Sequence, residues 1–265
     1  MKKILLFFSV ILFFSACTSN QKTYHISMPN FKSSIQTQNT TNENAPKVKI
    51  SGIEIVKNTF YSSYFEESTL NQRINKSLEL LKNQLLKDSK ALLENKGYIV
   101  SDDNPDYTFH LTINANLYED KVSRSSSFGG NSVESSFMMI LESHSNLVNL
   151  HQNNTFNTST SSTKLDEPII INYPIKGDAS LETFRQVYST IPTQINESMA
   201  ASALKIDKVF ITFYKEITAN LNTSLPQNEN LDNRLEPKEE KIIQEQEKSK
   251  NETTPYQNNE VIIFE

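Results

Sequence analysis

The chain has 265 residues with 26 lysines and arginines against 31 acids, a formal net charge of -5 at pH 7 and an isoelectric point near 5.5. This near balance provides no basic surface for nucleic acid, so we expect no nucleic-acid partner. The single cysteine excludes an internal disulfide, and the fold must therefore be stabilised by packing. The length suits one sizeable domain with additional tails.

Residues 1–16 have the layout of a secretory signal peptide. Two lysines precede an apolar run at 4–14 and the small pair Ser15-Ala16. At about eleven residues, the run is shorter than the roughly twenty that cross a bilayer as a helix. The next residue is Cys17, and the segment resembles the lipobox of bacterial lipoproteins, which implies cleavage before Cys17 and attachment of lipid, palmitate included. A plain signal peptide with a chance cysteine is the alternative interpretation.

Polar segments flank the predicted domain at 47–225. Residues 17–46 begin with the lipidated cysteine and show no helical or strand period, which predicts a flexible tether. The tail at 226–265 is charged and is predicted to be disordered. Its short apolar run at 261–264 could form an added edge strand or a docking peptide, or could be a frayed end.

The first half of the domain predicts a strand, a long helix and a second strand. Alternating apolar residues at 48–56 predict a strand in which Gly52 forms a bulge. Apolar residues then recur every three or four positions through 66–96, which predicts an amphipathic helix. Gly97 is expected to end that helix in the left-handed conformation, and a short strand at 98–100 follows.

The second half adds further strands and a closing helix. Strict alternation at 107–117 predicts a strand with one buried and one polar face, while 153–163 could be an edge strand or a loop. The other predicted elements are a loop at 125–132, a hairpin of 136–142 with 147–150, a short strand at 169–171, and a helix at 193–223 with Pro192 in its first turn. This order predicts an α+β fold, an antiparallel sheet with two long amphipathic helices packed on one face.

Three short motifs give the chain a family resemblance. The sequence at 94–103, after the long helix, reads Glu-Asn-Lys-Gly-Tyr-Ile-Val-Ser-Asp-Asp; Ile-Leu-Glu follows at 140–142 and Ser-Ala-Leu at 202–204. In order and spacing this is similar to the neuraminyllactose-binding haemagglutinin family, lipoproteins of flagellated spiral bacteria also described as flagellar-sheath adhesins. The resemblance implies an adhesin whose partners are host sialylated glycans or proteins of the envelope and sheath.

The resemblance also implies where a glycan would bind. In the family, a segment rich in lysine and arginine follows the strand equivalent to 107–117. Here that segment contains only Lys121 and Arg124, beside two acids. Either cation could bind the carboxylate of a sialic acid. A charged loop end that is simply solvated is the alternative interpretation.

No motif in the sequence predicts catalysis. The four histidines, at positions 25, 110, 144 and 151, show neither the helical i, i+4 spacing nor the nearby carboxylates of a zinc site. The sequence contains no nucleophile elbow and no phosphate-binding loop. We therefore expect no enzymatic activity, no metal and no cofactor.

The residue after the cysteine bears on location. In Gram-negative bacteria an Asp at that position often retains a lipoprotein on the inner membrane, and Thr18 stands there instead. We therefore expect a lipid anchor in the outer membrane, with the flagellar sheath or the cell surface as the final location. The alternative is a periplasm-facing accessory lipoprotein that docks on an envelope assembly or transport complex.

Overall fold

A computed structural model gives the structure of the chain and describes residues 22–36, 44–127, 130–152, 154–178, 183–186 and 189–228. The chain divides into two units, residues 1–225 and 226–265, and every helix and strand below belongs to the first. The predictions for the signal peptide, for Cys17 and for residues 229–265 of the tail lie outside the described residues.

Ten strands and three helices form in the described parts of the chain. The strands are β1 (Thr23–His25), β2 (Lys47–Phe60), β3 (Ile99–Val100), β4 (Tyr107–Ser127), β5 (Gly130–Asn149), β6 (Thr155–Lys164), β7 (Ile169–Tyr173), β8 (Ile175–Asp178), β9 (Thr183–Gln186) and β10 (Gln194–Asn196). The helices are α1 (Ser63–Glu66), α2 (Thr69–Asn95) and α3 (Glu197–Ser224).

The main sheet confirms the predicted α+β class. Its six strands follow the order β3-β2-β4-β5-β6, with β7 also paired to β5, so the stretch at 153–163 is largely the edge strand β6. Strands β4 to β7 pair antiparallel, and α2 and α3 pack together on one face. Strand β2 is parallel to β3 and β4, because α2 returns the chain to the end of the sheet where β2 began.

Alternation along β4 separates a buried face of the sheet from an open one. Phe109, Leu111 and Ile113 are at most 2% exposed beneath the helices. His110 is exposed and Thr112 half-buried on the opposite side. We call that side, formed by the outward side chains of β2, β4, β5 and β6, the open face. The predicted strand register is therefore confirmed.

Two glycines have the positive φ angles that their predicted roles require. Gly52, with φ of +105°, lies where the register between β2 and β4 shifts, and it forms the predicted bulge. Gly97, with φ of +86°, ends α2. The Tyr98 N–H donates to the Leu93 carbonyl at 3.1 Å and the Gly97 N–H to the Glu94 carbonyl at 3.0 Å. This pattern is a Schellman cap, and it confirms the predicted helix end.

Both long helices begin later than predicted. The Ser68 hydroxyl accepts a hydrogen bond from the Asn71 N–H at 3.1 Å and caps α2, so the predicted helix start at residue 66 falls in α1. Helix α3 begins at Glu197 because residues 194–196 pair with β1 instead. The prediction that Pro192 lies in its first turn is therefore wrong.

Strands β4 and β5 form one long hairpin. Their ladder continues to the pair Ser127 and Gly130, and the two residues between them lie outside the described residues. The predicted loop at 125–132 and the predicted hairpin of 136–142 with 147–150 are therefore wrong. We call residues 119–127 with 130–137, beyond the last pair that β4 makes with β2, the hairpin arm. Serine is frequent on both strands of the arm. The alternation of apolar and polar residues that indicates a strand is therefore weak there, and the sequence predicted a loop instead.

Residues 22–36 pack along the helices, although the sequence assigned them to the tether. Strand β1 pairs antiparallel with β10. Phe31 is 7% exposed, and its ring centroid lies 5.3 Å from that of Tyr214 on α3. At the other end of α2, the Asn95 side chain donates to the Gln36 carbonyl at 2.6 Å. The folded domain therefore begins before the predicted boundary at residue 47.

A buried arginine fastens this N-terminal segment to the domain. Arg73 on α2 is fully buried and forms a two-bonded ion pair with Asp207 on α3, at 2.9 Å from Nε and 2.6 Å from Nη2. Its remaining N–H groups donate to the carbonyls of Ile26 at 2.9 Å, Ser27 at 2.5 Å and Pro192 at 2.9 Å. We call this set of contacts the Arg73 clamp. It joins both helices, the N-terminal segment and the loop before β10.

Candidate functional site

The base of the hairpin arm is fixed by a buried carboxylate. Glu119 is 4% exposed. It accepts hydrogen bonds from the Ser62 N–H at 2.6 Å, from the Ser135 hydroxyl at 2.5 Å and from the Tyr173 hydroxyl. These donors belong to the N-cap of α1, to β5 and to β7. Glu119 thus holds α1 against the arm, and its oxygens are occupied by neutral groups.

A bulge lies next to this carboxylate. The register between β4 and β5 shifts between Asp120 and Ser123, so two residues of β4 face one residue of β5. Lys121 lies in the bulge with φ of +52°, and its N–H donates to the Asp120 carboxylate at 2.7 Å. Lys121 is exposed. The bulge therefore displays this lysine and changes the direction of the side chains that follow.

Arg124 is held by an aromatic ring beyond the bulge. Its guanidinium carbon lies 5.2 Å from the centroid of the Tyr64 ring on α1, a cation–π contact. Among the residues that the structure describes, no carboxylate lies within 4.0 Å of Lys121 or Arg124. The two candidate residues thus lie on one strand of the arm, but they share no contact that brings them to a common point.

The open face presents a second set of polar groups. The Asn58 amide donates to the Asn116 side-chain oxygen at 2.8 Å, and the Asn116 amide donates to the Glu142 carboxylate at 3.2 Å. This chain of bonds crosses β2, β4 and β5. Beside it, Phe60 and Tyr118 are register partners and are 73% and 45% exposed. Apolar ring faces next to amide and carboxylate groups suit a ligand with apolar and hydroxyl surfaces.

This aromatic pair was not among the candidate residues predicted from the sequence. One signal in the sequence could have indicated them. In each strand the buried apolar residues occupy every second position, and Phe60 and Tyr118 occupy the positions in between, where polar residues are expected. A large ring on the outward side of a strand is not required by the core. Such a residue is therefore a candidate for binding.

The histidines have protein partners or lie on strands. The His110 Nδ1 lies 2.7 Å from the Ser51 hydroxyl, and the His151 Nε2 lies 3.1 Å from the Asp106 carboxylate. The Lys47 N–H donates to the same carboxylate at 2.8 Å. This hydrogen bond holds the pKa of Asp106 below its usual value, and the contact with His151 lowers it further. In the described ranges, no group of three or more His, Cys, Asp or Glu side chains could hold a metal ion.

Surface grooves accompany these features in the described part of the chain. One of about 500 Å³ lies between residues 163–167 and α3, where Lys205 and Lys208 line it. A second of about 420 Å³ surrounds Gly52, and a third of about 560 Å³ lies beside Tyr214. Within the described part of the chain, no helix is both long and apolar enough to cross a membrane.

Comparison with known proteins finds similarity in solved structures alone. No protein-family model matches the chain, and no curated protein matches it. A neuraminyllactose-binding hemagglutinin homolog from Helicobacter pylori aligns over 86% of this chain and 100% of its own, at 16% identity and a TM-score of 0.36.

Two bacterial lipoproteins also align. One from Neisseria meningitidis covers 46% of this chain and 83% of its own, at 9% identity and a TM-score of 0.25. A minor lipoprotein from Acinetobacter baumannii covers 67% and 92%, at 11% identity and a TM-score of 0.23. Similarity this weak assigns neither a family nor an activity to the chain.

Proposed function

We propose that the chain is a non-catalytic, lipid-anchored outer-membrane lipoprotein that acts as an adhesin toward sialylated glycans. The observation that carries the ligand class is Arg124, an exposed guanidinium held over the Tyr64 ring. The planar fork of arginine binds a carboxylate through two parallel hydrogen bonds. Sialic acid presents such a carboxylate at the end of a glycan.

The surroundings of Arg124 support this proposal. Among the described residues no carboxylate forms an ion pair with Arg124, and the oxygens of Glu119, on the same strand, accept hydrogen bonds from Ser62, Ser135 and Tyr173. The exposed Lys121 adds a second positive charge on the same strand. Tyr64 restrains the arginine before any ligand arrives, which lowers the entropy lost on binding.

Titration of the lipidated protein in nanodiscs with sialyllactose and with lactose tests the ligand class. We expect sialyllactose to bind and Arg124→Gln to weaken binding about 10- to 100-fold, because a hydrogen-bonded charge contributes about 1.5–3 kcal/mol. Lys208→Gln removes an exposed cation from α3 and is the matched control, with unchanged binding expected. Equal affinity for lactose, which lacks the carboxylate, would contradict the proposal.

The anchor is proposed from the lipobox-like segment at 1–17. Two or three acyl chains on Cys17 would hold the protein on a membrane essentially permanently, and Thr18 favours the outer membrane, including a flagellar sheath or the cell surface. Labelled palmitate should enter the protein and should not enter Cys17→Ser. Recovery of the lipidated protein mainly with inner-membrane markers would refute the proposed location.

A periplasm-facing accessory role is the second candidate. It is favoured by the N-terminal segment, which is fastened to the domain from Lys22 onward, five positions after Cys17. A domain held that close to a membrane suits docking on an envelope assembly. Protease added to intact cells distinguishes the two candidates, because an adhesin should be digested and a periplasmic domain should be spared.

A further inference from the structure

Glu119 connects three elements at the base of the hairpin arm. Its Oε2 accepts from the Ser62 N–H at 2.6 Å. Its Oε1 accepts from the Ser135 hydroxyl at 2.5 Å and from the Tyr173 hydroxyl, and these two hydroxyls also lie 2.9 Å from each other. The position of this one carboxylate therefore fixes α1, β5 and β7 relative to β4.

Two of these hydrogen bonds lead to the same ring, that of Tyr64. Ser62 is the N-cap residue of α1 and precedes Tyr64 by two positions. Tyr173 packs against Tyr64 directly, with their ring centroids 5.8 Å apart. Glu119 therefore restrains Tyr64 in two ways, through the main chain of α1 and through a neighbouring ring.

Helix α1 depends on such contacts for its position. It has four residues, and isolated helices shorter than about 12 residues are marginal in water. Phe65 anchors it in the core, where the Phe65 ring stacks on the Phe137 ring with centroids 4.5 Å apart. This core contact fixes one side of α1, and the hydrogen bond from Ser62 to Glu119 fixes its N-terminus. Together they hold the Tyr64 ring beside the arm.

Arg124 takes its position from Tyr64. Its guanidinium carbon lies 5.2 Å from the centroid of the Tyr64 ring. Arg124 and Glu119 lie on the same strand, but the bulge between Asp120 and Ser123 separates them. A guanidinium that is already ordered over a ring loses less entropy when it binds a carboxylate. Any effect of Glu119 on Arg124 therefore passes through Tyr64.

We propose that Glu119 is a positioning residue of the glycan site and that it holds Arg124, through Tyr64, in the orientation that receives the sialic acid carboxylate. The inference rests on the proposed function for its ligand, whereas the link from Glu119 to Arg124 can be measured without a ligand. The role needs the reach of the glutamate side chain and its acceptor oxygen toward α1. It does not need the negative charge, because all three donors are neutral groups.

Two conservative variants separate reach from charge. Glu119→Asp keeps the charge and withdraws the carboxylate by one carbon–carbon bond, about 1.5 Å. Hydrogen bonds of 2.5 and 2.6 Å to donors on different elements cannot then all be kept. Glu119→Gln keeps the length and removes the charge. Its oxygen can accept from the Ser62 N–H while its amide donates to the Ser135 and Tyr173 hydroxyls, whose lone pairs can accept.

Nuclear magnetic resonance of the full-length protein with isotope-labelled arginine follows Arg124, one of four arginines in the chain. Protons above an aromatic face resonate upfield, so Arg124 should show an upfield shift that Tyr64→Leu removes. We expect Glu119→Asp to reduce this shift and to weaken sialyllactose binding about 2- to 10-fold, because a side chain must then be ordered on binding. Glu119→Gln should preserve both the shift and the affinity.

Asp88→Ala is the matched control for a disturbed buried acid. Asp88 is 3% exposed and, like Glu119, accepts from a tyrosine hydroxyl, that of Tyr214, at 2.6 Å. It lies 19 residues after Thr69, the first residue of α2, which is about 28 Å along the helix. The control should lower the melting temperature and leave both the Arg124 shift and the affinity unchanged.

The possible outcomes separate this inference from the proposed function. An unchanged Arg124 shift and affinity in Glu119→Asp, or losses in Glu119→Gln alone, would overturn the inference and leave the proposed function intact. A wild-type protein that does not bind sialyllactose would refute the proposed function, while the Arg124 shift would still test the link to Glu119. If Glu119→Asp does not fold, Tyr173→Phe removes one of the three hydrogen bonds and should reduce the Arg124 shift by a smaller amount; an unchanged shift would again overturn the inference.

Discussion

Replacing Arg73 by methionine should destabilise the protein strongly and release its N-terminal segment. Methionine keeps most of the aliphatic volume and removes every hydrogen bond of the Arg73 clamp. Asp207, whose side chain is 10% exposed, would keep its charge without a partner, and breaking one side of a buried ion pair costs about 3–5 kcal/mol. The carbonyls of Ile26, Ser27 and Pro192 would also lose their donors, at about 1 kcal/mol each.

These losses sum to about 6–8 kcal/mol, which is a large part of the about 5–15 kcal/mol that stabilises a typical domain. The double variant Arg73→Met with Asp207→Leu removes the orphaned charge as well. It should recover about 3 kcal/mol or more of the loss, because replacing both members of a buried pair is often near neutral. The orphaned carbonyls should account for the remaining deficit.

Urea denaturation of the protein without its signal peptide measures the loss, and hydrogen exchange shows where it acts. In the single variant, amides of residues 22–36 should exchange faster than those of β4 and β5, because that segment loses its attachment while the sheet keeps its ladder. A change in unfolding free energy below about 1 kcal/mol, or unchanged exchange at 22–36, would refute the role assigned to the clamp.

Three further predictions concern the core, the helix cap and acid stability. Leu111→Ala should cost about 2–5 kcal/mol and Thr112→Ala much less, because Leu111 is 2% exposed in the core; equal losses in thermal melts would show that the register is wrong. Gly97→Val should lower the melting temperature, since φ of +86° strains a β-branched residue; an unchanged melting temperature would exclude this strain. The hydrogen bond from the Lys47 N–H lowers the pKa of Asp106 in the folded protein. The ionised Asp106 therefore stabilises the fold above the ordinary Asp pKa of about 3.9, and this stabilisation is lost as pH falls through the folded pKa. Asp106→Asn should flatten the plot of unfolding free energy against pH in that acidic range, and an identical plot would contradict the assignment.

The parts of the fold that could be predicted are those in which one face of an element is buried. The period-two alternation around Leu111 indicated which side of the strand is buried. The glycine at position 97 indicated a helix end, because the cap needs a positive φ angle that glycine adopts readily. The hairpin arm could not be predicted, because Ser125, Ser127 and their neighbours are held in the sheet by main-chain pairing between the strands. Such pairing leaves no pattern of side chains in the sequence.

Residues 22–36 escaped prediction for a related reason. Arg73 binds them through main-chain carbonyls, which every sequence supplies, and its charged partner Asp207 is 134 positions away. At the candidate site, Lys121 and Arg124 were named from their charge. The restraint of Arg124 by Tyr64 and the occupied carboxylate of Glu119 depend on tertiary contacts, so the sequence alone could not indicate them.

The Arg73 clamp also imposes an order on folding during synthesis. A ribosome makes residues 22–36 long before Pro192 and Asp207. Neither β10, which pairs with β1, nor the acid that holds Arg73 is then available. Residues 22–36 therefore stay unattached until the last helix has been made, and the N-terminal segment is the last part of the domain to find its partners.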